Sequence, residues 1–142
     1  MNLSNLYQMI KRFEGCILIP YLDQAGVWTC GWGSTGWDVI PNKPWTQEYA
    51  DARLEGDAIK FAKAVVVLAP DCNDNQLCSL ADFSYNLGIN NLRASTLLRK
   101  FKSGDIIGAA AEFVRWNRIK GKPSRGLTIR RLAERELFLC GS

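Results

Sequence analysis

The chain has 142 residues, of which 47% are hydrophobic and 23% are charged, and its formal net charge at pH 7 is +4. This composition is that of an ordinary soluble globular protein, and the length suits one domain, or two small lobes that share a core. It excludes a membrane-spanning protein, because no stretch approaches the roughly 18 unbroken apolar residues that a spanning helix needs.

The first predicted element is a short helix. Ser4 is a candidate N-cap, and Gly15 ends the helix, which places Glu14 in its last turn. Between them, apolar residues recur at i, i+3, i+4 and i+7, namely at Leu6, Met9, Ile10 and Phe13.

A small sheet and then a long helix are predicted next. Residues 16–45 are rich in β-branched and aromatic residues and are broken by glycines and prolines, which is typical of short strands and tight turns. From Thr46, a candidate N-cap, the pattern is helical until Pro70, and a helix of this length is suited to bridging two lobes. Four tryptophans lie close together in the sheet region and indicate either a sugar-contacting or a well-packed lobe: Trp28, Trp32, Trp37 and Trp45.

The remaining sequence predicts helical segments with short breaks. They are DNQLCSLADFSYNLG, LRASTLLRKFKSGD ending at Gly104, IIGAAAEFVRWNRIKG capped by Asp105, and, after a loop GKPSRG, LTIRRLAERELFLC. In the last segment the helical rhythm runs through Leu127, Ile129 or Arg130, Leu132, Ala133, Leu137 and Phe138. The fold class is therefore α+β: a sheet lobe at about 14–45, a bridging helix at about 46–69, and a helical lobe at about 71–142 that also takes the N-terminal helix 4–14.

Cysteine and histidine usage argues against a metal site. The chain has five cysteines, an odd number without a CxxC pair, and it has no histidine. A zinc site is therefore not indicated, and we expect reduced, mostly buried thiols. Because the N-terminus also lacks the pattern of a secretory signal, we expect the protein to be made and folded in the cytoplasm.

Charge is distributed unevenly along the chain. Residues 1–70 carry six basic and seven acidic side chains, whereas residues 71–142 carry twelve and seven. A basic half indicates either an anionic polymer as partner or only solvated helix faces. The same two interpretations apply to the basic run Arg115, Arg118, Lys120, Lys122 and Arg125.

Three residues near the N-terminus have the chemistry of a glycosidase. Glu14 lies at a helix C-terminus, where the negative end of the macrodipole disfavours the ionised carboxylate, so it is a candidate proton donor. Asp23, in the turn-like YLDQAG, is expected to stay ionised beside it. Thr29 supplies a hydroxyl that can hold a water molecule. On spacing alone, surface or capping roles for these residues remain open.

The spacing Glu14-x8-Asp23-x5-Thr29, followed by CGWGSTG, resembles the catalytic signature of the phage-type lysozymes, glycoside hydrolase family 24. Further blocks look like the C-terminal lobe of that family: FSYNLG, STLLRKFKSGD, AAAEFVRW and GLTIRRLAERELF. The resemblance implies two lobes joined by a long helix and a cleft lined by the glutamate, aspartate and threonine. It also implies peptidoglycan as substrate, cut between N-acetylmuramic acid and N-acetylglucosamine without metal or cofactor.

Carried over residue by residue, the resemblance makes Glu14 the general acid, Asp23 the carboxylate that positions water or acts as nucleophile, and Thr29 the residue that holds the water. Many relatives have histidine where this chain has Ser34, so we expect lost packing or pairing there rather than lost catalysis. Either Arg130 or Arg131 is expected to face Glu14 across the cleft, with a solvated helix face as the alternative.

The resemblance implies an endolysin that acts from the host cytoplasm as a monomer, without nucleic acid or stable membrane association. The membrane-releasing segment of some relatives is lacking, so we expect release to the wall through a lesion made by a holin. Two alternatives stay open: a lytic transglycosylase on the same bond, and a non-catalytic protein that uses the basic half to bind cell wall or nucleic acid.

Overall fold

The computed structural model describes residues 1–141, which form two compact units. One unit contains residues 7–60 and is called the sheet unit here; the other contains residues 1–6 and the chain from Phe61 onwards and is called the helical unit. The predicted boundaries of the sheet lobe, bridging helix and helical lobe stay a prediction.

Helices and a small antiparallel sheet make up the chain, so the predicted α+β class is confirmed. Residues 1–141 contain seven α-helices: α1 (Ser4–Glu14), α2 (Gln47–Leu68), α3 (Asp74–Leu87), α4 (Ile89–Arg93), α5 (Thr96–Lys102), α6 (Ile106–Glu112) and α7 (Arg125–Leu139). The strands are β1 (Ile17–Leu22), β2 (Trp28–Gly31), β3 (Ser34–Thr35), β4 (Arg118–Ile119) and β5 (Lys122–Pro123). Among these residues no helix combines the length and apolar character that a membrane crossing requires.

The sheet unit is built on the antiparallel order β1-β2-β3. Tyr21 lies opposite Thr29 in the β1–β2 pair, and Cys30 lies opposite Ser34 in the β2–β3 pair. A buried cluster forms where the sheet meets the start of α2, and its members are Cys30, Val39, Trp45 and Ala50. The predicted packing role therefore holds for Trp45, whereas Trp37 is 89% exposed.

Local capping chemistry explains where the first two helices begin and end. Gly15, at φ 67°, ends α1 immediately after Glu14, as predicted. Thr46 caps α2 by accepting a 3.1 Å hydrogen bond from the backbone N–H of Tyr49. The expectation for Ser4 was wrong: Ser4 is the first residue of α1, and its own N–H donates to the side chain of Asn2 at 3.0 Å.

The helical unit packs around aromatic side chains that meet edge to face. Phe83 contacts Phe113 and Trp116, with ring centroids 6.0 and 5.3 Å apart, and Phe113 in turn contacts Phe138 at 5.3 Å. Capping side chains begin the surrounding helices: Asn73 with Gln76 at α3, Ser95 at α5, Asp105 at α6 and Ser124 at α7. The Asp105 cap was predicted; the other three were missed.

Two segments differ from the sequence prediction. LRASTLLRKFKSGD is broken into the end of α4 and α5, because the Ser95 hydroxyl accepts from Leu98 N–H and starts a new helix. The helix predicted over IIGAAAEFVRWNRIKG ends at Glu112, and after one 3-10 turn the chain forms the β4–β5 hairpin. That hairpin takes the first half of the predicted GKPSRG loop, residues 121–123, and the backbone N–H of Ser124 closes it onto Asn117 O at 2.7 Å.

Helix α7 buries charged residues in addition to part of the predicted apolar stripe. Ile129 and Leu132 are 42% and 44% exposed, whereas Arg130, Arg131, Glu134 and Phe138 are buried. The apolar rhythm was therefore wrong at Leu132, and of the alternatives Ile129 and Arg130 it is Arg130 that is buried, because ion pairs hold that face of the helix inside. The alternative of a solvated helix face for Arg130 and Arg131 was also wrong.

The buried charges form what we call the buried ion cluster: Asp82, Arg130, Arg131 and Glu134. Arg130 donates two hydrogen bonds of 2.9 Å to Asp82, one to each carboxylate oxygen. Arg131 donates to Glu134 Oε2 at 2.8 Å, while its Nε lies 2.6 Å from Oε1 without the alignment of a good hydrogen bond. Its guanidinium carbon also lies 5.3 Å from the centroid of the Phe83 ring.

The pKa values of the two acids in the buried ion cluster are shifted in opposite directions. Burial alone would raise the pKa of Asp82, but hydrogen bonds from Glu134 and Arg130 hold it below its ordinary value. Burial, followed by the hydrogen bond with Asp82, raises the pKa of Glu134 well above its ordinary value, against the charge of Arg131. Asp82 is therefore the more acidic of the two carboxyl groups.

Candidate active site

The three predicted site residues all lie in the sheet unit. Glu14 is the last residue of α1, Asp23 directly follows β1, and Thr29 is the second residue of β2. Thr29 is buried, whereas Asp23 is exposed at the turn between the two strands. The strand expected to carry Thr29 and the turn expected to carry Asp23 are both confirmed.

The turn fixes one oxygen of Asp23. Its Oδ1 accepts hydrogen bonds of 2.8 Å from the backbone N–H groups of Ala25 and Val27. The backbone adds two further bonds, from Asp23 N–H to Val27 O and from Gly26 N–H to Asp23 O, both of 3.0 Å. Within residues 1–141 the other oxygen, Oδ2, has no hydrogen-bond donor. The carboxylate is therefore held in one orientation and keeps one oxygen for another partner.

The same turn fixes the hydroxyl of Thr29. Its O–H donates to Val27 O at 2.9 Å, so its proton is engaged while its remaining lone-pair capacity can accept. Val27 thus orients both side chains, through its N–H for Asp23 and its carbonyl for Thr29. A water molecule that donates one proton to Asp23 Oδ2 and one to Thr29 Oγ1 would keep a lone pair for attack.

Tyr21 joins these groups and was missed from the sequence. It lies directly opposite Thr29 in the strand pair, so the two side chains share a face of the sheet. Burial, then the charge of Glu14, then that of Asp23, raises the pKa of Tyr21. The charges of Glu14 and Asp23 both contribute to this raised pKa, and the strand register sets Tyr21 beside Thr29.

Gly33 lies against the carboxyl group of Glu14. A Cβ atom built on Gly33 would lie 2.6 Å from Glu14 Oε1 and 2.9 Å from Cδ, closer than real Cβ atoms approach. Gly33 also has a φ of 85°, which strains other residues. Any side chain at position 33 would displace the proposed acid, which explains the glycine at this point of the motif.

A group of ion pairs that we call the Arg53 clamp holds the segment after Gly33 on α2. Arg53 contacts both oxygens of Asp38, donates to Thr35 O at 2.7 Å, and pairs with Asp57 one turn along the helix. The hydrogen bond and charge of Arg53 lower the pKa of Asp38, in spite of its burial, and the pKa of Arg53 is raised in return. In the sequence, the only indication of these ion pairs is the i, i+4 spacing of Arg53 and Asp57.

Ser34 is part of this anchoring, which corrects the expectation for that position. Its hydroxyl is buried and donates to Asp57 Oδ2 at 2.8 Å, so pairing is not lost where relatives have histidine. Two residues earlier, Trp32 Nε1 donates to Asp51 Oδ1 at 2.8 Å. That hydrogen bond, followed by one from Gln47, lowers the pKa of Asp51. Successive residues on both sides of Gly33 are thus tied to α2.

Two further expectations concern groups around the site. Arg130 and Arg131 pair with Asp82 and Glu134 in the helical unit, and the expectation that one of them faces Glu14 stays a prediction.

Residues 1–141 contain no group of three histidine, cysteine, aspartate or glutamate side chains placed to hold a metal ion. None of the five cysteines is in a disulfide: Cys30 and Cys78 are buried, Cys16 and Cys72 half-buried, and Cys140 exposed.

Comparison with known proteins gives a consistent result. Residues 11–134 match the family described as phage lysozyme. The chain is 40% identical over 129 residues to the SAR-endolysin of Enterobacteria phage PA-2, covering 90% of this chain and 78% of that protein. Among solved structures, the endolysin from Escherichia coli O157:H7 phage FAHEc1 superposes with a TM-score of 0.84 at 34% identity, over 98% of this chain and 94% of that one. The muramidase domain of SpmX from Asticaccaulis excentricus gives 0.88 at 29% identity, over 99% of each chain.

Proposed function

The chain belongs to the phage lysozyme family, and from this premise we propose that it is an endolysin, a muramidase that hydrolyses the β-1,4 bond between N-acetylmuramic acid and N-acetylglucosamine in bacterial peptidoglycan during host lysis. The observation that carries the proposal is that the sheet unit holds all three side chains: Val27 bonds both Asp23 and Thr29, and Gly33 leaves room for the Glu14 carboxyl group. A protein that only binds the wall has no use for such an arrangement of acid, carboxylate and hydroxyl.

Glu14 is the general acid in this proposal. It donates its proton to the glycosidic oxygen as the bond from that oxygen to C1 of the muramic acid breaks, and positive charge develops at C1 and the ring oxygen. Gly33 leaves the carboxyl group room to lie in the position from which it donates, and the Arg53 clamp holds Gly33 there. Glu14 becomes a carboxylate and the leaving sugar becomes a free hydroxyl.

Asp23 and Thr29 deliver the water. The available oxygen of Asp23 and the lone pairs of Thr29 accept the two water protons, which turns the water lone pair towards C1. As the new C–O bond forms, Asp23 takes a proton, and solvent exchange returns one to Glu14. This chemistry consumes one water molecule and needs neither metal nor cofactor, since both acid and base are side chains.

Analysis of the cleavage products tests the reaction. Purified peptidoglycan sacculi digested with the chain are expected to yield muropeptides that end in reducing N-acetylmuramic acid, heavier by one water than the anhydro form. Mass spectrometry measures the difference directly. Anhydro ends would show a lytic transglycosylase instead, and binding without new reducing ends would show a non-catalytic wall protein.

The proposal extends to location and assembly. The endolysin accumulates as a monomer in the host cytoplasm and reaches the wall through a membrane lesion made by a separate protein, a holin; it needs no nucleic acid or stable membrane association. The name endolysin, which the relative from Bacillus phage B103 carries, supports action on the cell wall of the host. A culture expressing the chain is expected to keep its turbidity until chloroform opens the membrane. Lysis before that treatment would contradict the route.

A further inference from the structure

The hairpin formed by β4 and β5 carries exposed cations without acidic partners. We call Arg118, Lys120 and Lys122, together with Arg125 at the start of α7, the basic hairpin; all four are exposed. No aspartate or glutamate occurs anywhere from Phe113 to Ala133. Arg115, the preceding cation, is paired with Glu112 at 2.8 Å, but none of the four hairpin cations forms an ion pair within the described residues. Their charge is therefore not neutralised locally.

The backbone of the hairpin indicates that Lys120 is not there for stability. Lys120 and Gly121 have φ values of 50° and 79°, the left-handed conformation of the two central residues in a tight hairpin turn. Asparagine or glycine adopts that conformation with less strain than lysine. The side chain of Arg118 braces the tip by donating to Gly121 O at 3.0 Å. A lysine at a strained, exposed tip points to a role for its charge.

The wider charge distribution is consistent with such a role. The helical unit carries thirteen basic and seven acidic residues, whereas the sheet unit carries five and seven. Within the helical unit Arg130 and Arg131 form buried pairs, and the four cations of the basic hairpin belong to the exposed excess. Several exposed cations suit a partner with many equivalent anionic groups, because no single geometry has to be fixed.

We propose that the basic hairpin is an accessory binding surface for closely spaced anionic groups on the cell-wall sacculus, separate from the residues that cleave it. The inference deepens the proposed function and rests on it, since the polymer that is cut also carries the charge. Several weak contacts of one sign hold the enzyme on an insoluble polymer and let it move along the strands. Such contacts are screened by salt.

Sedimentation with sacculi tests the inference, with every protein carrying Glu14→Gln to keep the wall intact. The triple variant Lys120→Gln, Lys122→Gln, Arg125→Gln is compared with Lys43→Gln, Lys60→Gln, Lys63→Gln, which removes three exposed cations elsewhere. At low ionic strength the hairpin variant is expected to bind about tenfold more weakly and to lose most of its salt dependence, while the control stays within about twofold of the parent. Equal weakening of both variants would overturn the proposal.

Chemical treatment of the sacculi identifies the anion. Amidation removes the carboxylates of the peptide stems, and hydrofluoric acid removes phosphodiester polymers. Loss of hairpin-dependent binding after either treatment supports the proposal and names the source. Retention after both overturns it, as does hairpin-dependent binding to anionic phospholipid vesicles without binding to sacculi.

The single variant Lys120→Asn separates binding from folding. Because asparagine relieves the left-handed strain, this variant is expected to raise the midpoint of thermal unfolding while it weakens binding to sacculi. A raised midpoint with unchanged binding would assign the hairpin to structure alone. Failure of the parent chain to cut sacculi would instead contradict the proposed function, and the binding comparison does not depend on cutting.

Discussion

Glu14→Gln is expected to lower the rate of peptidoglycan cleavage by at least about 10³-fold while leaving the fold intact. A carboxamide has nearly the shape of the carboxyl group and fits against Gly33 in the same way. It cannot supply the proton that the departing sugar oxygen needs, so the bond to C1 must break without acid assistance. The measurement is the initial rate of turbidity loss of a sacculus suspension, with circular dichroism to verify the fold.

A matched control separates the lost proton from the lost charge. Glu136→Gln makes the same chemical change at an exposed position of α7 and is expected to retain the full rate. Parent-like activity of Glu14→Gln would show that the acid has been assigned to the wrong residue. An equal loss in the control would show that net charge, rather than proton donation, limits the rate.

Arg130→Met is expected to reduce the free energy of unfolding by about 3–5 kcal/mol, the largest stability effect that we predict. The substitution keeps a long side chain but removes both hydrogen bonds to Asp82, whose carboxylate is fully buried. The remaining charge would have neither water nor its guanidinium to stabilise it, and a shift of the pKa of Asp82 would recover only part of the loss. Urea unfolding followed by tryptophan fluorescence measures the change.

Two comparison variants make that result specific to the ion pair. Arg135→Met removes an exposed arginine from the same helix and is expected to stay within about 0.5 kcal/mol of the parent. Adding Asp82→Leu to Arg130→Met removes the orphaned carboxylate, and it is expected to recover about half of the lost stability. A loss below about 1 kcal/mol in Arg130→Met would indicate that the pair behaves like an exposed one.

The elements that sequence predicted well are those set by near neighbours. Helix α1 ends at Gly15 because that residue adopts a left-handed conformation, and Thr46 caps α2 through a hydrogen bond three residues away. The turn around Asp23 is equally local, since its side chain bonds to N–H groups two and four residues on. Periodicity, capping residues and glycines record such interactions directly in the order of amino acids.

The β4–β5 hairpin is an element that local sequence patterns did not predict. Its strands have two residues each, too few to display an alternating pattern, so the region was divided between a helix and a loop. Tyr21 was missed for a related reason. Its place opposite Thr29 depends on the register of two strands, which their residues do not specify individually.

The amino acid order by itself determined the α+β class and the long helix after Thr46, because each depends on contacts within a few residues. It also supplied the family resemblance that singles out Glu14, Asp23 and Thr29. Only the tertiary structure decided that Ser34 bonds to Asp57, 23 residues away, and that Arg130 grips Asp82, 48 residues away. Folding removes both partners of such a pair from water. Inside the protein each would lack a partner of opposite charge or matching hydrogen-bond capacity, so the two bind each other. The order of the amino acids does not indicate which distant residues will be removed from water together, because the packing of the segments decides it.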